Sequence, residues 1–300
     1  MKKTVITASF AIFCMTSTVM GINADPVQPS QELGILLLGD QGKGNPEQQE
    51  VADALTAFCK KERCDFGILL GDNFYNSGVK SVKDSKFDTH FEQPYGRLGI
   101  EFWAILGNHD YGFGLSRGNV QAQIDYTKKS KFWRMPSRYY SFETHGIEFI
   151  ALDTVVLPRD SAQREWLGRT LEKPRQGFRV VMGHFPIHSG GLHGDNSYLR
   201  DNISKKLCGK ADIYVAGHDH HLEHLKTDCG VSLVVSGAAA EARAVNPTPR
   251  TMFAASTLGF AYLKKTSNAE LKIQYIDSAL NVLAEFTVQR HAEQTVRQLD

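Results

Sequence analysis

Ile35-Leu36-Leu37-Leu38-Gly39-Asp40 and Phe66-Gly67-Ile68-Leu69-Leu70-Gly71-Asp72 repeat one pattern: a short apolar run, a glycine, then an aspartate. The pattern returns with other polar endings as Phe102 to Leu106 before Gly107-Asn108, Val180 to Met182 before Gly183-His184, and Ile213 to Ala216 before Gly217-His218. Apolar runs this short and continuous predict strands buried on both faces. Helical patterns separate them. Asn45-Pro46 reads as an N-cap and first-turn proline ahead of Val51, Ala54, Leu55 and Phe58. Asp160 reads as the cap of a segment with Trp166, Leu167 and Leu171, with Gln163 as its capping-box partner. Strand, helix, strand in alternation predicts a parallel α/β architecture. Residues 259–264, 270–276 and 282–289 alternate apolar and polar side chains. They predict antiparallel strands with one wet face, forming a second portion that completes the fold.

In open α/β sheets the ligand crevice lies beyond the carboxyl ends of the strands. Asp40, Asp72, Asn108, His184 and His218 are therefore expected to converge, each behind a glycine that lets the backbone turn tightly. Carboxylate, amide oxygen and imidazole nitrogen together suit hard-to-borderline metal ions. Tyr75, three residues past Asp72, and His220, two past His218, add two more donors. On an extended segment His218 and His220 would point the same way. Seven donors exceed one tetrahedral shell, so two ions sharing a bridging carboxylate are expected, a pair that clamps both oxygens of an in-line displacement.

The 300 residues carry 34 Lys+Arg against 33 Asp+Glu, a formal charge of +1. That balance argues against a nucleic-acid footprint, and Lys128, Lys129 and Lys131 read as a solvated helix face. With 42% hydrophobic and 22% charged residues, the chain is a compact globular protein and neither disordered nor a coiled coil. Gly39, Gly42 and Gly44 lead to no Gly-Lys-Ser/Thr, which excludes a P-loop. Trp103, Trp133 and Trp166 read as packing residues, and His188, His221 and His224 as supporting or surface groups. His90, His145 and His291 have no ligand-type context. Asp110 and Asp219 are candidates to orient neighbouring histidines by hydrogen bonds.

Lys2 and Lys3 precede an apolar, Ser/Thr-spotted run from Val5 to Met20 that ends near Ala24. This reads as a secretory signal over residues 1–24, followed by a single domain over residues 25–300. The run is too short and polar for a membrane span. The bulky Phe13 before Cys14 fits poorly with lipidation. Cleavage would remove Lys2 and Lys3 and turn the charge from +1 to −1. Cys59, Cys64, Cys208 and Cys229 then remain, an even number that suits an oxidising compartment, periplasmic or extracellular. Pairing Cys59 with Cys64 and Cys208 with Cys229 requires the least chain ordering, although spacing leaves the connectivity open.

Gly39-Asp40-Gln41-Gly42, Gly71-Asp72-Asn73-Phe74-Tyr75, Gly107-Asn108-His109-Asp110, Gly183-His184 and Gly217-His218-Asp219-His220 together resemble the metallophosphoesterases. Tyr75 narrows the resemblance to the purple acid phosphatases, closest to the small, mammalian-type tartrate-resistant acid phosphatases, over about Leu33 to Thr287. The resemblance implies two mixed sheets packed face to face with helices outside, which agrees with the mixed α/β reading. It assigns Asp40, Tyr75 and His220 to a ferric ion, Asp72 as the bridge, and Asn108, His184 and His218 to a divalent iron, zinc or manganese. His109 and His193 would line the substrate pocket as proton donor or phosphoryl ligand, their roles left open, on a Gly190-Gly191-Gly194 loop that could be displaced in the case of His193. The implied activity is hydrolysis of a small phosphomonoester or a phosphoprotein by direct attack of metal-bound hydroxide. Asp40, Asp72 and an ionised Tyr75 against five metal charges leave the bare site two units positive, which would draw in a phosphate dianion; ferric iron acidifies bound water more than a divalent ion does, so activity is expected to persist into mildly acid solution.

Departures from the family pattern carry expectations of their own. Gln41 stands where the small enzymes usually carry Trp and is expected to rewet one wall of the site. Asp110 to Gly118, with three glycines, is expected to form a mobile rim. Between Asp153 and Gln163 the chain is too short for a protease-sensitive restraining loop. Two other readings stay in play: a divalent-metal phosphodiesterase or nucleotidase of the same fold, and a non-catalytic secreted iron-binding protein.

Overall fold

The computed structural model describes Met1 and residues 32–290. The leader expected over residues 1–24, Met1 apart, lies outside the described residues, as does His291. The strands are β1 (Leu33–Leu38), β2 (Phe66–Leu69), β3 (Glu101–Ala104), β4 (Trp133–Arg134), β5 (Tyr140–Thr144), β6 (Ile147–Ala151), β7 (Phe178–Met182), β8 (Ile213–Ala216), β9 (Leu222–Lys226), β10 (Ser232–Ser236), β11 (Thr251–Ala255), β12 (Gly259–Lys265), β13 (Glu270–Asp277) and β14 (Val282–Gln289). They form two seven-stranded mixed sheets, ordered β14-β13-β12-β1-β2-β3-β4 and β11-β9-β10-β8-β7-β6-β5. Every apolar run of the repeated pattern is a strand. β1 to β4 run parallel in the first sheet, and β6, β7, β8 and β10 run parallel in the second.

Both faces of these parallel strands are covered, which is why their sequences are unbroken apolar runs. Ile35, Leu37 and Ile68 of the first sheet share a core with Phe149, Val180, Met182, Ile213 and Val215 of the second. On the outer face of the first sheet, Leu36 and Leu38 meet Val51, Leu55 and Phe58 of helix α1 (Pro46–Phe58). Outside the second sheet, Ile150 and Val181 meet Leu167 and Leu171 of helix α2 (Ser161–Leu171). The layers are therefore helix, sheet, sheet, helix.

Asn45 caps α1 as its sequence predicts, accepting from the Gln48 amide at 3.1 Å. Asp160 caps α2 through the Gln163 amide at 2.9 Å. The side chain of Gln163 does not close a capping box; it binds the backbone of Asp153 instead. The antiparallel strands are not a separate portion, because β12 pairs with β1 and extends the first sheet. β13 alternates buried and half-buried residues as expected, whereas β12, held between β1 and β13, is buried on both faces along most of its length. Cys59–Cys64 and Cys208–Cys229 are disulfides with Cα separations of 5.5 and 5.6 Å, the local pairing.

Candidate metal centre

The tight turns at the strand ends are made by the polar residues themselves. Asp40, Asp72 and His218 have φ of 61°, 54° and 70°, in the left-handed region where non-glycine residues are uncommon. Such conformations destabilise by on the order of 1–3 kcal/mol each and persist only where surrounding structure imposes them. Of the glycines before them, Gly71 also turns, with φ of 90°, whereas Gly39 and Gly217 serve close approach. A Cβ on Gly217 would stand 2.6 Å from Asp40 Oδ2, and one on Gly107 would stand 2.2 Å from the Asp72 amide. The first approach lets the ends of the two sheets meet, and the second draws together neighbouring strand ends of the first sheet.

All seven candidate ligands are brought together where they meet. Tyr75 Oη lies 3.0 Å from Asp40 Oδ1, 3.0 Å from Asp72 Oδ2 and 3.1 Å from His220 Nε2. The other oxygen of Asp72 faces the second group: Oδ1 is 3.4 Å from His184 Nε2, which is 3.0 Å from Asn108 Oδ1. Asp72, His184 and His218 offer ligand atoms that all lie within 4.8 Å of one another. The expectation that His218 and His220 point the same way is overturned. Their segment bends at His218, so His218 joins His184 while His220 joins Tyr75 and Asp40.

The donor set suits a pair of cations. Asp40, Asp72 and His184 are essentially fully buried, so the carboxylates have little water to disperse their charge. Burial, then the charges of Asp40 and Asp72, push the Tyr75 phenol far above its ordinary range. Burial would lower His184, but the charge of Asp72 overrides it and raises the imidazole to about 9. Both groups hold protons where cations would compete for the same lone pairs, and oxygen and imidazole donors fit iron and comparable divalent ions. His184 Nδ1 donates to the Leu70 carbonyl at 2.9 Å, which in the neutral ring leaves Nε2 to act as ligand.

Above these groups a cleft of about 140 Å³ is lined by Asp72, Tyr75, Asn108, His218, His220, both predicted pocket histidines, and Lys43, Asn76 and Arg243. The His109 amide donates to Asp72 Oδ1 at 2.8 Å, and its Nδ1 donates to the Asn76 carbonyl at 2.9 Å. The His193 ring lies 4.3 Å from that of His218. Its glycine-rich loop is tied down: Asp219 accepts from the His193 amide and Ser189 Oγ, and the buried Glu223 accepts from the Gly190 amide.

Asp110 and Asp219 orient loop backbone, not histidine rings. Asp110 accepts from the Gly107 and Asn73 amides and from the side chains of Asn73 and Gln123. Gln41 does not wet the cleft either; it is 1% exposed and donates to Asn73 Oδ1 at 3.1 Å. His221 and His224 are buried. The 110–118 segment is tied back by the Tyr111 hydroxyl, which donates to Asp153 Oδ2 at 2.5 Å, and, just past its end, by the Asn119 amide, which donates to the Val79 carbonyl.

Sequence reasoning missed Lys43, Glu241 and Arg243. Glu241 accepts from Lys43, Arg243 and His220, and although burial opposes it, Lys43 and His220 hold its carboxyl at about 2. Lys43 follows Asp40 by three residues, a spacing that marks it as a neighbour; nothing in the Ala238-Ala239-Ala240-Glu241 stretch announces Glu241.

The calcineurin-like phosphoesterase family matches residues 33–222. Tartrate-resistant acid phosphatase type 5 of Sus scrofa is 31% identical, covering 88% of this chain and 89% of its own. Purple acid phosphatase 7 of Arabidopsis thaliana is 32% identical, covering 70% of this chain and 71% of its own. Among solved structures, GAP50, the anchor in the inner membrane complex of Plasmodium, superposes with a TM-score of 0.76 at 24% identity, over 88% of this chain and 90% of that one, a likeness of fold. The chain belongs to the calcineurin-like phosphoesterase family, on its purple acid phosphatase branch.

Proposed function

We propose that this acid phosphatase is a secreted enzyme that hydrolyses small phosphomonoesters at an iron-containing binuclear centre. The observation that carries the reading is the Asp72 carboxylate, one oxygen against Tyr75 and the other against His184. In this reading Asp40, Tyr75 and His220 hold a ferric ion, Asn108, His184 and His218 a divalent iron, zinc or manganese, and Asp72 both. When bound, the pair activates water and offsets charge on the phosphoryl oxygens.

The chain's own residues orient the rest. His109, fixed through its Nδ1, presents Nε2 near the shared carboxylate, 4.0 Å from Asp72 Oδ2. His193, anchored by Asp219, faces the same cleft from the His218 side, and whichever of the two rings is protonated beside the departing alcohol donates to its oxygen while the other holds the phosphoryl group. Lys43 and Arg243, paired with the Glu241 carboxylate, leave a net positive charge at the rim, which favours a phosphate dianion. Tyr75 favours this reading over a divalent-metal nucleotidase, because its oxygen stands within 3.1 Å of Asp40, Asp72 and His220. Secretion rests on the residue 1–24 segment and is supported by the two disulfides. No helix among the described residues is long and apolar enough to cross a membrane.

The test is turnover of a generic aryl phosphate between about pH 4 and 8, with metal analysis and a visible spectrum of protein purified without added metals. Two ions per chain, one of them iron, with a tyrosinate-to-iron band and mildly acid activity, is the expected result. A colourless, fully active enzyme overturns the iron assignment, and metal-loaded protein without turnover overturns the hydrolase.

A further inference from the structure

His220 has its two ring nitrogens in different company. Nε2 is 3.1 Å from Tyr75 Oη and 3.5 Å from Asp40 Oδ1, on the inner side of the centre. Nδ1 is 2.5 Å from Glu241 Oε2. That same oxygen accepts from Lys43 Nζ at 2.6 Å and from Arg243 Nη2 at 2.7 Å. Three separate stretches of chain, the turn after β1, the bend at 218–220 and the segment after β10, thus close on one carboxylate oxygen. Two further bonds fasten the last segment: the Arg243 amide donates to the His220 carbonyl at 2.7 Å, and Asn45 Nδ2 donates to the Ala240 carbonyl at 2.8 Å.

An exposed ion pair taken alone contributes little. Here the arrangement differs, because the third donor is a ring whose side chain is 4% exposed and whose other nitrogen already faces two acidic groups. A carboxylate that accepts the Nδ1 proton of an imidazole leaves Nε2 with its lone pair, stops the ring from rotating and raises its basicity as a ligand. Of the two candidate-ligand histidines whose Nδ1 is engaged, His184 uses a backbone carbonyl and His220 uses a charged side chain.

We infer that Glu241 is a positioning residue for the Tyr75 half of the centre, fixing the tautomer and orientation of His220 while Lys43 and Arg243 hold its carboxylate in place. The inference rests on the proposed function in that His220 serves as a ligand. Loss of the carboxylate would free the ring to turn and weaken the hold on the metal at that half, leaving the His184 half with its own support.

The experiment compares full-length wild type, Glu241→Gln and Glu241→Ala for iron per chain, rate of iron release to a chelator, position of the visible band, and melting temperature. In Glu241→Ala, iron release is expected to quicken by about 10- to 100-fold, the range seen when a group supporting a metal ligand is removed, with a shifted band. Glu241→Gln, whose amide oxygen still accepts the Nδ1 proton without charge, falls between and carries the comparison if the alanine variant fails to fold. Iron release at the wild-type rate with an unshifted band, in either folded variant, overturns the inference. Wild type devoid of iron defeats the proposed iron assignment instead, and the same comparison then runs on release of zinc or manganese.

Discussion

On one side of Asp72, Tyr75, Asp40 and His220 crowd oxygen against oxygen at 3.0 Å, with a charged carboxylate behind the histidine. On the other side, His184, Asn108 and His218 bring no carboxylate, and two of them are rings 5.0 Å apart. The shared carboxylate shifts protons on both sides. Burial, then the carboxylates, raise the Tyr75 phenol; across Asp72, its charge overrides burial and raises His184 to about 9, while burial, then His184, lower His218 to about 2. The first half concentrates negative charge in a place with little water, and the second brings no carboxylate of its own. A cation of higher charge gains more in the first half, and an ordinary divalent ion suffices in the second. A carboxylate with one oxygen toward each of two unlike halves would suit a pair of unlike ions, as proposed.

Removing the shared group breaks the comparison outright. Asp72→Ala is expected to lower aryl phosphatase kcat by well over the roughly 100-fold that loss of a supporting group causes, and metal analysis should find both ions depleted. Depletion of one ion alone would mean that Asp72 belongs to one half. Next come the histidines above the halves. Replacement of the proton donor by alanine should lower kcat by roughly 10²- to 10⁴-fold. The loss should be smaller for substrates with a good leaving group, so kcat measured for His109→Ala and His193→Ala across leaving groups assigns the role. Tyr75→Phe sharpens the contrast between halves: the visible band should vanish, with activity reduced by about 10- to 100-fold, the equivalent of one charge-assisted contact. An intact band would remove tyrosine from the iron half. Smallest in effect is Gly107→Ala, whose Cβ would stand 2.2 Å from both the Asp72 amide and its Oδ1. Urea unfolding should register a destabilisation of about 1–3 kcal/mol.

How much could be read beforehand differed between these regions for physical reasons. Asp40, Asp72, Asn108, His184 and His218 follow strands, and a strand end is a position along the chain, so their convergence was legible from pattern alone. Tyr75 and His220 were legible by proximity, although not their directions: the left-handed turn at His218 reverses what an extended segment would do. Glu241 was invisible because its contact with Lys43 spans 198 residues and its neighbours are alanines. Gln41 misled for a related reason, since its place in a motif says nothing of which way its side chain packs. β12 misled because alternation in sequence cannot reveal that a strand will be enclosed on both sides.

Periodicity and residue chemistry, both properties of short segments, settled by themselves that the chain makes buried parallel strands, that polar groups gather at their carboxyl ends, and that those groups suit metal ions. Only the tertiary structure decided which side of Asp72 each histidine serves, that glycines join the ends of the two sheets, and that a distant carboxylate steadies His220. Those outcomes depend on contacts between segments far apart in sequence, whose geometry is set by how the two sheets pack and not by any local preference.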